Sequence, residues 1–284
     1  MLKSEAINNN LLMLLYSQLS KHQEQASVKK IAAGILEDLR PLYLKGVAYC
    51  IRQEAVEKEV ISLLSSHDIG AIVIRGNEIA REIYGNPNCR ASSDIDILMR
   101  KQDVLRADSI LSGAGYKKDF QEPVGYSLAR IHHAAYFHPT SGICIELHWN
   151  FGVPGFFNLT SADIWEEVLT RYPEDGKLSP EMSMIMLLIH HHSHSFRELR
   201  ILLDLVWALY RYKDEIDWVH FTDRLEKIGL LRITWITLDQ IQRLWKDTME
   251  SMPSFTDLKR SIENRDFARS VFLGSYFHPA IGIA

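Results

Sequence analysis

The chain has 284 residues, of which 46% are hydrophobic and 24% are charged. This balance is typical of a globular protein and excludes a disordered or collagen-like chain. The formal net charge of −4 argues against a protein that coats nucleic acid or binds membranes through a polybasic surface, because both need an excess of cations.

The cysteines and the apolar runs bear on the compartment. Cys50, Cys89 and Cys144 are scattered along the chain and form no C-x-x-C pair, which is typical of free thiols in a reducing compartment. The first residues contain no long apolar segment of the kind that a secretory signal needs. No apolar run approaches the roughly 18 residues of a membrane helix. We therefore expect a soluble cytoplasmic protein without a membrane partner.

Residues 1–68 are predicted to form an N-terminal helical region. Apolar residues recur there at helical spacing in two stretches: Ile31, Ile35, Leu39 and Leu42, then Val56, Val60, Leu63 and Leu64. Pro41 lies inside the first stretch and predicts a kink or a break between two helices, since proline lacks the backbone donor of the helix.

Residues 69–153 are predicted to form an α+β core. In chain order, the elements are a strand at 71–75, a helix at 78–84, a strand at 94–99, a helix at 104–111 and a hairpin of two strands at about 134–138 and 143–149. Short β-branched runs bounded by turn residues indicate the strands, and helical periodicity indicates the segments between them.

Residues 154–284 are predicted to form a C-terminal helical domain. Its clearest helices are expected at 180–191, 196–212 and 218–228, with more helix up to about residue 270. The fold class is therefore α+β, with a small mixed sheet flanked by N-terminal helices and by the C-terminal helical domain.

Two aspartates on the second strand are the first sign of chemistry. Asp94 and Asp96 share one face of that strand, opposite Ile95 and Ile97. Two carboxylates this close repel each other and favour a divalent cation between them. Oxygen ligands suit Mg²⁺ or Mn²⁺. We expect Asp96 to be an exposed acid in a cleft.

A third carboxylate has the same alternation. Glu146 lies in the strand 143–149, opposite Ile145 and Leu147, and burying its charge without a ligand is costly. If this strand pairs beside that of Asp94, three acids meet on one surface, which is the minimum for a two-metal phosphoryl-transfer site. The alternative is a half-exposed sheet on which the acids are only solvated.

Several blocks of the chain together resemble a known family. They are Ile72-Val-Ile-Arg75-Gly76-Asn77, Tyr84, Arg90, Ser93-Asp94-Ile-Asp96-Ile-Leu98, Gly115-Tyr116 and Ile145-Glu146-Leu-His148-Trp149. They resemble the uncharacterised nucleotidyltransferase family of the DNA-polymerase-β-like superfamily, over about residues 70–210. The resemblance implies a nucleotidyltransferase-type sheet, catalytic metals on Asp94 and Asp96, and Glu146 as the third acid.

The resemblance also implies a nucleotide-binding set. The turn at Gly76 and Asn77 would cradle the triphosphate, although the superfamily usually has Ser at the second position. Arg75 stands where family members often carry Lys, and its guanidinium can pair with phosphate. Ser93 and Arg90 complete the set. For Arg90 a phosphate contact or loop anchor is one interpretation.

A surface salt bridge from Arg90 to Glu82 or Asp94 is the equal alternative.

Two histidines are a further candidate feature. His190 and His194 share one helix face at i, i+4.

Four residues are possible contacts to nucleotide or acceptor: His148, His190, His194 and Arg197. The alternatives are a polar helix end for the histidines and a salt bridge for the arginine. The spacing also permits a local pair of Arg200 with Asp204 at i, i+4, and a solvated or interhelical salt bridge is the expected role of these charges.

These features predict a nucleotidyltransferase that moves a nucleoside monophosphate from an NTP to an unknown acceptor, with Mg²⁺ or Mn²⁺ as cofactor. The mild acidity favours a small molecule or a protein as acceptor over a long nucleic acid. One alternative is a catalytically degenerate nucleotide-binding or regulatory protein of the same fold. Another is a helical module that binds a partner.

Overall fold

A computed structural model describes residues 2–119, 131–152, 155–171 and 177–265 of the chain. It has an α+β fold with a five-stranded mixed sheet and many helices, which confirms the predicted class. The part of the predicted C-terminal helical region beyond residue 265 lies outside the described residues.

The elements follow one another from helices through the sheet to helices again. The strands are β1 (Ala71–Val73), β2 (Asp94–Met99), β3 (Lys117–Lys118), β4 (His133–Phe137) and β5 (Cys144–His148). The helices before and within the sheet are α1 (Leu2–Asn8), α2 (Leu12–His22), α3 (Ala26–Ser65), α4 (Asn77–Tyr84) and α5 (Val104–Gly113). Those after it are α6 (Ser161–Arg171), α7 (Pro180–Ser193), α8 (Leu199–Arg211), α9 (Trp218–Lys227), α10 (Leu231–Leu244), α11 (Lys246–Glu250) and α12 (Pro253–Glu263).

The long helix α3 differs from the expectation at Pro41. The sequence predicted either a kink or a break at Pro41. The chain does not break there, because one helix of 40 residues runs through Pro41. A proline inside a helix costs about 3 kcal/mol, so packing must offset it. Helix α2 packs along α3, and Tyr16 stacks on Tyr43 with 4.1 Å between ring centroids. Tertiary contacts beside the proline therefore stabilise the continuous helix.

The sheet has the strand order β1-β2-β5-β4-β3. Strands β2 and β5 pair in parallel, and the other neighbours pair antiparallel. The hairpin of β4 and β5 thus lies beside β2, as the interpretation of Glu146 required. Helices close both faces of this sheet.

One face of the sheet packs on α3 and α5. Its buried cluster combines alternate strand residues with the inward sides of the two helices: Ile95, Ile97, Met99, Ile145, Leu147 and Trp149 from the strands, and Val56, Val60, Leu64, Val104, Ala107 and Leu111 from the helices. The period of two in β2 and β5 predicted this face, and it leaves the acids on the other side.

The opposite face lies toward the C-terminal helices. Ile72, Ile74 and Leu98 belong to the same buried cluster as α7 and α8. Helix α7 is buried on every side from Met182 to Ile189, which is typical of a helix at the centre of a fold. The polar side chains of β2 and β5 therefore lie at the boundary between the sheet and this helix. Over the described ranges, no helix combines the length and apolarity that crossing a membrane requires.

Candidate active site

Asp96 and Glu146 lie directly beside each other on parallel strands. The register pairs Asp96 with Glu146 and Asp94 with Cys144, so the acids share one face of the sheet. One possible ligand atom from each of Asp96, Glu146 and His148 lies within 4.8 Å of the others. The site therefore offers carboxylate oxygens and an imidazole nitrogen to one divalent ion.

Asp96 is buried, with 3% of its surface exposed, and it is paired within the protein. Nη2 of Arg75, just after β1, donates to Oδ1 of Asp96 at 2.6 Å. Nε2 of His148 lies 2.7 Å from the same oxygen. Burial raises the pKa of the Asp96 carboxyl, but Arg75 and His148 outweigh burial and hold this pKa well below its usual value. The expectation of an exposed acid at Asp96 is wrong.

His148 links the two carboxylates. Its Nε2 also lies 3.1 Å from Oε2 of Glu146. Burial lowers the pKa of His148, but the hydrogen bonds to Asp96 and Glu146 raise it above its ordinary value. Burial likewise raises the pKa of Glu146, and the hydrogen bond from His148 brings it below its ordinary value. The charge of Arg75 and the hydrogen bonds of His148 thus stabilise the two acids in their ionised form.

His190 reaches the site from α7. Its Nδ1 accepts a hydrogen bond from Nη1 of Arg75. Burial and the charge of Arg75 lower the pKa of His190 well below its ordinary value, so the ring is a neutral acceptor. His194 contacts the His190 ring at 4.5 Å between centroids, but its own ion pair is with Glu198. Arg197 is exposed. Of His190, His194 and Arg197, it is His190 that joins the site, through its hydrogen bond with Arg75.

Asp94 lies two residues before Asp96, at the edge of the site. It is half-buried at the start of β2, and its carboxylate accepts hydrogen bonds from Ser92 at 2.9 Å and from Ser93 at 3.1 Å. Among the residues that the structure describes, Asp94 does not belong to the group of ligand atoms that lie within 4.8 Å of one another. Ser93 therefore orients a carboxylate here.

The turn before α4 lies against the start of β2. Gly76 has φ +73° and ψ −126°, a conformation that strains any residue with a side chain. A Cβ at this position would lie 3.6 Å from the Asp94 carbonyl oxygen and from Cβ of Ser92. Asn77 is buried, and its Nδ2 donates to the carbonyl of Cys50 on α3 at 3.4 Å. The Asn77 amide thus holds the turn against α3, and the backbone of the turn is what faces β2.

Arg90 is a buried anchor between the sheet and α8. It is 3% exposed, and its Nε donates to Oδ2 of Asp204 at 2.9 Å. The hydroxyl of Tyr84 donates to Oδ1 of the same aspartate at 2.8 Å. The alternative of a surface salt bridge for Arg90 is wrong.

Asp204 pairs with Arg90, and not with Arg200 as the i, i+4 spacing permitted. Arg200 instead donates to the carbonyl of Ala91 at 2.9 Å. The loop that leads into β2 is therefore tied to α8 by two arginines, one on each side of the junction.

We expect Tyr84→Phe to lower the free energy of unfolding by about 1–3 kcal/mol, because the buried Asp204 carboxylate loses a donor. Chemical denaturation of the two proteins measures this difference. The matched control is Tyr210→Phe, since the Tyr210 side chain is exposed and its loss should change stability by less than about 0.5 kcal/mol. Equal effects of the two substitutions would contradict the anchoring role of Tyr84.

A family model described as an uncharacterised nucleotidyltransferase matches residues 3–246. The chain belongs to this family. The resemblance that the sequence blocks indicated over about residues 70–210 is confirmed, and it extends over the N-terminal helices as well. Searches among curated proteins and among solved structures find no match.

In this member of the family the residues predicted from the sequence divide into three groups. Five of them converge between the sheet and α7: Arg75, Asp96, Glu146, His148 and His190. Gly76, Ser93 and Asp94 border them at the start of β2. The side chains of Asn77 and Arg90 point into buried contacts elsewhere, and Arg197 lies at the surface.

Two residues of the site escaped the sequence analysis. His133 begins β4 and pairs in register with His148 on β5, and His132 precedes it. The ring centroids lie 5.0 Å apart for His133 and His148 and 4.6 Å apart for His132 and His133. The sequence did hold a sign of these residues, namely two adjacent histidines in the hairpin strand opposite Ile-Glu-Leu-His. The register of the hairpin brings them beside Glu146.

Proposed function

We propose that this nucleotidyltransferase moves a nucleoside monophosphate from an NTP to an acceptor hydroxyl or phosphate, and that a divalent metal ion assists. The observation that carries the proposal is the pair Asp96 and Glu146, side by side on parallel strands next to the Gly76 turn. Carboxylates placed side by side can hold the divalent ions that assist phosphoryl transfer, and Asp94, on the same face of β2, is the proposed third acid.

The donor set fits Mg²⁺ or Mn²⁺. Carboxylate oxygens are the ligands that these ions prefer, and we propose Asp94, Asp96 and Glu146 as the residues that hold them. The ion, when bound, supplies positive charge to the triphosphate and to the leaving pyrophosphate. In the described structure Arg75 balances the charge of Asp96, so a metal ion bound by Asp96 would take the place of this guanidinium at the carboxylate.

Arg75 and the Gly76 turn are the proposed phosphate contacts. Arg75 is held between Asp96 and His190 by both terminal nitrogens of its guanidinium. A guanidinium with this geometry can pair with two oxygens of a phosphate once a metal ion takes over the charge of Asp96. The positive φ of Gly76 lets the backbone approach the phosphates closely.

Glu146 is the proposed group that orients the nucleophile. Its carboxylate is ionised, since the hydrogen bond from His148 holds its pKa below the ordinary value although burial raises it. An ionised carboxylate can accept a hydrogen bond from an acceptor hydroxyl and later its proton. Because Glu146 is only half-buried, an acceptor can approach it from solvent.

The acceptor class follows from charge. With a net charge of −4, the chain favours a small molecule or a protein side chain over a long nucleic acid. We propose a cytoplasmic location, which the free thiols of Cys50, Cys89 and Cys144 support.

A specific observation favours a second candidate, a nucleotide-binding protein that has lost catalysis. The Asn77 side chain is buried against α3 instead of facing the turn, and Arg75 occupies one oxygen of Asp96. A degenerate site would bind the nucleotide through the remaining contacts without transferring it.

The deciding experiment is a screen of the four NTPs with Mg²⁺ or Mn²⁺ and with acceptors of the small-molecule and protein classes. Pyrophosphate release and labelling of the acceptor are measured. Transfer with any combination supports the enzyme. Tight binding of a nucleotide without transfer in any combination would favour the degenerate protein instead.

Binding of the nucleotide can be tested without an acceptor. We expect an NTP with Mg²⁺ to raise the melting temperature of the wild type, because a ligand that binds only the native state stabilises it by mass action. At a nucleotide concentration one hundred times the dissociation constant, the free energy of unfolding rises by about 2.7 kcal/mol. This rise in melting temperature should vanish in Asp94→Asn, because the substitution removes a charge from the proposed metal site. Equal shifts in both proteins would contradict metal-mediated binding through Asp94.

A further inference from the structure

Three histidines form a cluster beside the paired acids. One ring nitrogen from each of His132, His133 and His148 lies within 4.8 Å of the others. The His133 and His148 rings stack with 29° between their planes. The hairpin register brings the pair together, since His133 lies opposite His148 in the antiparallel ladder.

Two nitrogens in this cluster have no hydrogen-bond partner. Nδ1 of His133 and Nδ1 of His148 are buried, and neither has a hydrogen-bond partner among the described residues. The His148 side chain is 1% exposed. A buried imidazole nitrogen without a partner costs free energy, so a ligand that accepts its lone pair or receives its proton is expected.

The other nitrogen of His148 is already supported. Its Nε2 is shared between the carboxylates of Asp96 and Glu146, at 2.7 and 3.1 Å. A carboxylate on one ring nitrogen is the usual outer-shell partner of a histidine that binds metal through the other, because the hydrogen bond fixes the ring and makes it a better ligand. With its proton on Nε2, beside the carboxylates, His148 has the surroundings of a metal ligand and a free lone pair on Nδ1.

Imidazole nitrogens select a different class of ion from carboxylates. Zn²⁺ and its neighbours in the transition series bind histidine readily, whereas Mg²⁺ prefers oxygen. We propose that His132, His133 and His148 form a second metal site, which takes a transition-metal dication of the Zn²⁺ class and adjoins the carboxylate site. Three protein ligands leave a coordination position for water or another ligand.

This site does not depend on the proposed transfer reaction. It is measured by metal binding alone, so a chain that transfers no nucleotide would still show it. Conversely, loss of this site need not remove the contacts of the carboxylates with a metal and an NTP.

The experiment uses the full chain, freed of metal by a chelator and titrated with Zn²⁺ in excess Mg²⁺ by calorimetry. Co²⁺ is the spectroscopic probe, since its visible absorption reports nitrogen coordination. We expect one equivalent to bind. In His132→Ala/His133→Ala the affinity should fall at least a hundredfold, because even the loss of an outer-shell partner costs ten- to hundredfold.

The matched control is His67→Ala/His220→Ala, which removes two exposed histidines and should leave the Zn²⁺ affinity unchanged. Asp94→Asn should also retain Zn²⁺ while it loses the stabilisation by NTP and Mg²⁺. If the double alanine variant melts below the wild type without metal, His132→Gln replaces it, with the Co²⁺ spectrum as readout.

Two outcomes would overturn the second site. One is Zn²⁺ affinity that is the same in the wild type and in the His132 and His133 variants. The other is loss of Zn²⁺ binding in Asp94→Asn to the same extent, which would mean that a single carboxylate site takes both ions.

Discussion

Glu146→Gln is expected to lower NTP-dependent transfer by about a thousandfold or more. The amide keeps the size of the side chain but has no charge to hold a metal ion and no basicity to accept a proton. A rise of about 4 kcal/mol in the activation free energy corresponds to this factor in rate. Turnover with the acceptor found in the screen is the measurement, or slow NTP hydrolysis in its absence.

The stability of Glu146→Gln should change far less than its activity. The amide oxygen still accepts the hydrogen bond from His148, which lies 3.1 Å from the carboxylate, so we expect a loss of about 1–2 kcal/mol. Glu250→Gln is the control, because Glu250 is exposed and remote in the chain. Transfer at the wild-type rate in Glu146→Gln would exclude this residue from the chemistry.

The local pattern of the sequence was enough to predict the strands of the site. Alternation placed β2 at 94–99, the same bounds as in the structure, because every second residue is a large aliphatic that must be buried. The same alternation put Asp94, Asp96 and Glu146 on one face. By contrast, β3 consists of Lys117 and Lys118, and two lysines carry no strand pattern.

Long-range pairing was not accessible from the sequence. Arg90 and Asp204 are separated by 114 positions, and nothing in their local spacing links them. The i, i+4 spacing instead permits Arg200 as the partner of Asp204, since it considers one helix alone. Only the packing of α8 against the loop before β2 determines which arginine reaches the aspartate.

The burial of the site was missed for a related reason. Alternation shows on which face Asp96 lies, but it does not show that α7 covers that face. Likewise, His133 becomes part of the site only through the register of β4 with β5. A strand pattern thus predicts which side chains share a surface, and the neighbouring elements decide what that surface contacts.

Asp96→Ala has the largest expected effect on stability. The substitution leaves the guanidinium of Arg75 and the ring of His148 without the carboxylate that lies 2.6 and 2.7 Å from them. Removing one partner of a buried ion pair costs about 3–5 kcal/mol, because the remaining charge is buried without compensation. Transfer should also be abolished. Denaturation curves give the first effect and turnover below the melting transition gives the second.

The loss of stability and the loss of transfer can be separated by also removing the unpaired charge of Arg75. In Asp96→Ala/Arg75→Ala the unpaired guanidinium is gone, so a substantial part of the lost stability should return. Transfer should not return, since a proposed metal ligand and a proposed phosphate contact are both missing. If the double variant regained transfer along with its stability, Asp96 would act only as the counter-ion of Arg75, and the metal site would have to be assigned without it. If the double variant stayed as unstable as Asp96→Ala, the ion pair would not be the source of the destabilisation, and the loss of the hydrogen bond to His148 would have to account for it.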